Sequence, residues 1–227
     1  MPDRATWLRR LRQENARQED SLSAIYDERW GEIEDTHRAF IERFLSSLPT
    51  AGRVLDAACG TGKYFGVVLD SGRSLLGVDH STGHLARARE KFPDVPTELR
   101  DLQDLPYLEE FDGVMCVDAV EMIPPEDWPL VLDGFRRALR PGGRLYLTVE
   151  RVPDDRVRGG SEEARRSGLP AVDGEIIWED DLYHHYPSMD RVRSWLAAAG
   201  FTVDEDLEGP WDPEDYAYHH LLALRVD

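Results

Sequence analysis

The chain has 227 residues, 41% of them hydrophobic and 32% charged, with a formal net charge of −18. That length suits one domain with added segments and buries a sizeable core, and no apolar run approaches the roughly 20 residues of a membrane span. The acids gather in two stretches, eleven Asp and Glu against Arg100 over 98–133 and eight against Arg225 over 201–227; such a surface repels phosphate backbones and argues against DNA or bulk RNA as a partner.

No apolar stretch follows the basic residues at the start, so no secretory signal is read and a cytoplasmic protein is expected. Residues 1–18 carry five Arg against Asp3 and Glu14 and read as a solvated helix face or a frayed terminus. Cys59 and Cys116 stand in apolar surroundings without metal-ligand spacing. They read as free, packed thiols, and no metal is expected.

Trp30, Ile33, His37, Phe40, Ile41, Phe44 and Leu45 recur at three- and four-residue steps, which predicts an amphipathic helix over 28–48 stopped by Pro49 and Gly52. Residues 53–58 form a short apolar run closing on a Gly-rich turn, followed by a helix over about 62–70. A second buried strand over 75–78 ends at Asp79, and Ser81 caps the next helix, which runs to Pro93. Strands over 97–100 and 111–117 precede a helix marked by Trp128, Val131, Leu132, Phe135 and Leu139. The turn 140–143 leads into a strand over 144–149. Met189, Val192, Trp195, Leu196 and Ala199 mark a last helix with Gly200 at its left-handed end, and strands over 201–207 and 217–226 close the chain. Strands alternating with helices in this way call for an α/β fold: a doubly wound, mostly parallel seven-stranded sheet with helices on both faces. Residues 1–50 form an N-terminal helical segment ahead of one domain over 51–227.

Ligands in such sheets bind outside the carboxyl ends of the strands. There the stretch VLDAACGTG (54–62) places Asp56 on the first strand and Gly60 and Gly62 in the turn that opens a helix. Glycines let the backbone approach a ligand and take positive φ at low cost. A carboxylate beside the turn repels a pyrophosphate and pairs with an ammonium group. Asp79 ends the second strand, where an acid can accept both hydroxyls of a ribose, and Asp101 with Leu102 after the third strand suits an exocyclic amine and a purine face. Amino acid, ribose and adenine in that order are the parts of S-adenosylmethionine (SAM).

At these positions the sequence resembles the class I SAM-dependent methyltransferases. VLDAACGTG is similar to that family's first motif, LLGVDHS (75–81) to its ribose motif and RDLQDLP (100–106) to its adenine motif. FDGVMCVDAVEMI (111–123) and LRPGGRLYLTVE (139–150) are similar to its fourth strand through its fifth. The resemblance implies SAM as cofactor, S-adenosylhomocysteine as product, and in-line methyl transfer to an oxygen or nitrogen nucleophile of a small metabolite. It also implies that the last strand is antiparallel to the others. Position by position it assigns Asp56, Ala58 and Gly60, with Gly62 completing the turn, to the methionine end of SAM. Asp79 and His80 fall to the ribose and adenine region, Asp101 and Leu102 to the adenine, and Asp118 to the wall beside the methionine chain. Small-molecule members fold an N-terminal helix over the cofactor, so Tyr26 or Trp30 is expected to form a lid. His84 stands where many relatives carry Met, and no function is read from it. A dinucleotide-dependent oxidoreductase competes through Gly60, Gly62 and Gly66, but the third glycine is one residue late and Asp56 disfavours the pyrophosphate.

The protein mainly has to align and desolvate the nucleophile, so no fixed triad is expected. Base candidates are Asp118 and Glu121, after the fourth strand, and His184 and His185 in the cluster 181–187. Adjacent histidines point in different directions, so at most one serves. The polar, Gly-containing stretch 151–178 is too long for a turn and predicts a substrate loop or mobile lid, extending through 187. The expected partner is a small-molecule methyl acceptor, with neither nucleic acid nor membrane; the acidic edge leans mildly towards a cationic amine, but solvated acids explain it better. A protein methyltransferase, or a SAM-binding protein without methyl transfer, are the alternatives.

Overall fold

The structure is a computed structural model that describes residues 3–178, 182–212 and 216–226. Its centre is a seven-stranded sheet in the order β3-β2-β1-β4-β5-β9-β8. The strands are β1 (Arg53–Ala57), β2 (Ser74–Asp79), β3 (Thr97–Leu99), β4 (Phe111–Cys116), β5 (Leu139–Arg151), β8 (Phe201–Glu208) and β9 (Ala217–Arg225), with β6 (Glu175–Ile177) and β7 (Tyr183–His185) forming a separate hairpin. β1 through β5 pair in parallel, and β9 runs antiparallel between β5 and β8. The sheet order reverses between β1 and β4, so the crevice for a ligand opens above their carboxyl ends.

Alternation along the strands sorts side chains to two faces. Leu55, Val78, Val114 and Leu145 pack with Trp128, Leu132 and Phe135 of α6 (Trp128–Ala138) and with Val192 and Leu196 of α8 (Met189–Ala198). Val54, Leu75, Met115 and Tyr146 pack on the other side with Phe40 and Phe44 of α3 (Asp35–Ser46), Phe65 of α4 (Phe65–Asp70) and Leu85 of α5 (Thr82–Lys91). No described helix is long and apolar enough to cross a membrane.

The chain departs from its sequence pattern in three places. The stretch expected as a solvated or frayed terminus is α1 (Arg4–Leu22), which buries Trp7, Leu11, Asn15 and Glu19 at four-residue steps. The helix expected over 28–48 is two, α2 (Tyr26–Trp30) and α3, because the chain is extended at Glu34. The expected loop after β5 is α7 (Asp154–Arg166) followed by the β6–β7 hairpin, while Asp181 lies outside the described residues.

α1 and this insertion fold together. Trp7 and Leu11 pack against Ala164, Ala171 and Tyr183. Beneath them Glu175, fully buried, accepts from the Arg4 guanidinium at 2.7 and 3.0 Å, from the Tyr183 hydroxyl at 2.6 Å and from the Val172 amide at 2.7 Å. At its far end α1 presents Asp20, which accepts from the Gly83 amide at 2.9 Å and the Ser81 hydroxyl at 2.6 Å and so ties the cap to α5. Removing one partner of a buried ion pair leaves an uncompensated charge and costs about 3 kcal/mol or more. Arg4→Ala is therefore expected to lower the urea-unfolding free energy by about that amount, with amide exchange rising in α1 and the hairpin while β1 and β4 stay protected.

Candidate functional site

The turn after β1 is built from left-handed backbone: φ is +66° at Ala58, +51° at Gly60 and +78° at Gly62. At Gly60 no atom stands within 4 Å of where a Cβ would be, so the backbone itself faces open space, whereas a Cβ at Gly62 would press on the Phe65 ring at 2.9 Å. The Gly60 amide donates to Asp79 Oδ2 and the Ser81 amide to Asp79 Oδ1, both at 2.8 Å. Two backbone donors thus fix the Asp79 carboxylate at the lip of β2 and leave lone pairs on each oxygen for a ligand.

These groups open on a cavity of about 360 Å³, within the range of small-ligand sites. Its walls include Ala58, Gly60, Asp79, His80, Asp101 and Leu102. Asp118, Glu121, His184 and Tyr26 line it as well, so ten of the thirteen expected site residues meet in one place. Trp30 joins Tyr26 there, the two rings 5.3 Å apart. His84, for which no function was expected, is buried, with its ring 4.8 Å from that of Tyr26 and Nε2 3.6 Å from Glu19.

Three expectations need correction. Asp56 lies beneath the turn, 1% exposed and not on the cavity wall, with Oδ2 lacking a hydrogen-bond partner among the described residues. Burial first, then the Asp79 charge, pushes its carboxyl up to about 8. Gly62 shapes the turn and does not reach the cavity. His185 faces away: it lines a separate cleft beside α7, and burial holds its imidazole neutral down to about 4. β7 pairs His184 with Ile176 and so sends the two neighbouring rings to opposite sides. His184 Nδ1 lies 2.7 Å from the Tyr186 hydroxyl and 4.0 Å from Glu150.

The sequence pattern did not point to Arg12, Asn15 and Glu19 of α1, to Glu150 at the end of β5, or to Tyr216 and Tyr218 by β9, all on the cavity wall. Glu150 had a signal: like Asp79, it is an acid terminating an apolar strand at the carboxyl edge. The acids crowd. Oxygens of Asp118, Glu121 and Glu150 all lie within 4.8 Å of one another, close enough to meet one cation. The Asp118 carboxylate accepts from the Tyr218 hydroxyl, and its backbone, at φ +56°, donates to Thr148 Oγ1 at 2.8 Å. Burial and then Asp118 push Glu150 up to about 8, and burial, Asp118 and Glu150 together push Glu121 well above the carboxylate range. Glu19, buried and facing Asp79 and Asp118, is pushed up to about 7.

A family model described as a methyltransferase domain matches residues 54–143. The chain is 29% identical over 171 residues to a demethylmenaquinone methyltransferase of Clavibacter sepedonicus, covering 69% of each chain. It is 30% identical over 160 residues to a trans-aconitate 2-methyltransferase of Variovorax paradoxus, a match that covers 69% of this chain but only 56% of the relative. Among solved structures, a SAM-dependent methyltransferase from Methanosarcina mazei superposes with a TM-score of 0.70 at 15% identity, over 80% of this chain and 95% of that one. The acceptors in these names differ, so kinship leaves the acceptor of this chain open.

The raised acids set a pH dependence. In the folded chain Glu19, Asp56, Glu121 and Glu150 keep protons that the unfolded chain has released above its ordinary carboxyl value near 4.5, so stability falls as pH rises through their folded values. His185 and His220, both lowered to about 4 by burial, act in the opposite sense, but only below the ordinary imidazole value of 6.5. Between pH 6.5 and 8 the acids act unopposed. The ligand-free protein is expected to show a falling urea midpoint across that window, with a shallower fall in Glu150→Gln.

Proposed function

Because the chain belongs to the class I SAM-dependent methyltransferases, we propose that it moves the methyl group of SAM to an oxygen or nitrogen nucleophile of a small metabolite. The observation that carries this reading is Asp79, held by two backbone donors on the same cavity wall as Asp101 and Leu102. The bound cofactor supplies a methyl carbon already attached to a good leaving group. The open backbone at Gly60, where a Cβ would stand in the cavity, fits a ligand laid against the turn.

In this reading Asp79 accepts the ribose hydroxyls, Asp101 and Leu102 take the adenine with His80 beside them, and the Ala58–Gly60 turn with Asp118 holds the methionine end. Tyr26 and Trp30, with α1 behind them, exclude water and orient the acceptor, which is the lid role for residues 1–50. The groups able to hold a proton at the acceptor end are His184, Glu121 and Glu150. A cavity roofed by α1 and the hairpin suits a small acceptor better than a peptide or nucleic acid. A cytoplasmic location fits the two free, buried thiols, Cys59 and Cys116.

Calorimetry with SAM is expected to show an affinity that falls at least about tenfold in Asp79→Ala, as loss of a charge-assisted hydrogen-bond acceptor demands; unchanged affinity would refute the ribose assignment. Turnover measured as S-adenosylhomocysteine release from an amine and phenol panel is expected to drop in His184→Ala with SAM affinity retained. His185→Ala, on the far side of β7, is expected to leave both near wild type.

A further inference from the structure

We propose that the methyl acceptor is an aliphatic amine that enters as its ammonium ion and docks that group among the carboxylates of Asp118, Glu121 and Glu150. The proposal rests on the reading of the chain as a methyltransferase and narrows its acceptor. Three observations carry it. Oxygens of the three side chains lie within 4.8 Å of one another. Glu121 is 4% exposed, and its Oε2 has no hydrogen-bond partner among the described residues. No Lys or Arg makes an ion pair with any of the three among the described residues.

A buried polar atom without a partner calls for an explanation, and in a ligand cavity the ligand is the economical one. Three acids with one such atom among them ask for a cation that also donates hydrogen bonds. An alkylammonium has three donors on one nitrogen, one for each carboxylate, and an apolar stem. The remaining wall suits that stem: Met122, Ile123 and Leu182 are apolar, and the rings of Tyr26, Trp30, Tyr216 and Tyr218 can face an alkylated cation. A hydrated divalent metal ion, which three carboxylates can also hold, is the competing occupant, and the titration below separates the two. A phenol or alcohol fits worse, because the oxyanion formed as it loses its proton would sit against three acids. An amine that has given up its proton is neutral, so it places no new anion among the acids.

The chemistry balances. The ammonium gives one proton to the Glu150 carboxylate, beside His184 at 4.0 Å. The freed nitrogen lone pair forms the new N–C bond while the C–S bond of the cofactor breaks, its electron pair staying on sulfur. The products are the N-methylammonium ion and S-adenosylhomocysteine, and the proton on Glu150 passes to solvent. In the ligand-free chain Glu150 and Glu121 hold protons; an ammonium entering between them displaces those protons, and Glu150 then takes one back from it. Charged and titratable groups acting on that pair are Asp118, Glu19 of α1 and Arg156 of α7. Tyr186 and His184 face it from the hairpin and Tyr218 from β9, while Lys63 and Tyr26 interact with Asp118.

The test is a calorimetric titration of the whole protein saturated with S-adenosylhomocysteine. The probes are primary and secondary amines on alkyl, phenylalkyl and amino-sugar stems, each with its isosteric alcohol, and MgCl2 and MnCl2 alone. At least one amine is expected to bind ten times or more tighter than its alcohol. That preference should shrink at least tenfold in Glu121→Gln and Glu150→Gln, and the same amine should support turnover to S-adenosylhomocysteine. Alcohols or phenols binding as well as the amines would overturn the proposal. So would silence across the amines with S-adenosylhomocysteine bound, or turnover that requires a divalent metal and is abolished by a chelator. Failure of S-adenosylhomocysteine itself to bind would instead bring down the cofactor reading beneath the proposal. Should either Gln variant misfold, Asp118→Asn with the same pair of ligands supplies the comparison.

Discussion

A single buried carboxylate, Glu175, joins the two segments that roof the cavity. It is fully buried and is met by Arg4 from one end of the chain, and by Tyr183 and Val172 from the insertion after β5. Neither α1 nor the hairpin belongs to the seven-stranded sheet. The pair makes each conditional on the other. A buried ion pair adds little net stability compared with apolar residues of the same shape, because desolvation offsets the attraction. Its effect here is positional: it fixes where α1 lies, and α1 delivers Asn15 and Glu19 to the cavity.

Enclosure then sets the electrostatics. Carboxylates at the open edge of a sheet would be solvated and ordinary; roofed over, Glu19, Glu121 and Glu150 lose water and bind protons more tightly. Two full charges about 5 Å apart repel by roughly 3 kcal/mol even at an effective dielectric near 20. A cluster of three therefore relaxes either by protonation or by admitting a cation. The same closure that keeps water from the cavity thus ties the position of α1 to the protonation of these acids through one physical quantity, their desolvation.

How far the sequence revealed this depends on how local each feature is. Asp79, Asp101 and Asp118 were legible because each ends a strand, and strand ends can be read from apolar runs. The antiparallel β9 followed from the family resemblance rather than from composition, and the strand order was not read from the sequence at all. The cap was hidden. α1 carries a stripe that begins apolar, Trp7 and Leu11, and ends polar, Asn15 and Glu19, as befits a helix running from a packed surface into a ligand cavity; read as a pattern it looks merely charged. In α7 the glycines suggested flexibility, yet a Cβ on Gly160 would stand 2.8 Å from Ile176, so that glycine permits close packing of the helix on the hairpin. The choice between His184 and His185 rests on strand parity, which is set by pairing across β6 and leaves no mark in either residue's neighbours.

Backbone strain gathers at the same place. Ala58 and Asp118 both hold the left-handed conformation on the cavity wall, at φ +66° and +56°, where a residue with a Cβ gives up about 1–2 kcal/mol. At Asp118 the surroundings over-determine the geometry: Thr148, itself fully buried, accepts the backbone amide, and Tyr218 donates to the carboxylate. A solvated acid at a strand end would need neither. Such strain persists where neighbouring structure holds it and tends to mark functional positions. Here it aims one carboxylate at two others it would otherwise avoid. The fold thus spends stability to keep three acids together, where they either hold protons or admit a cation.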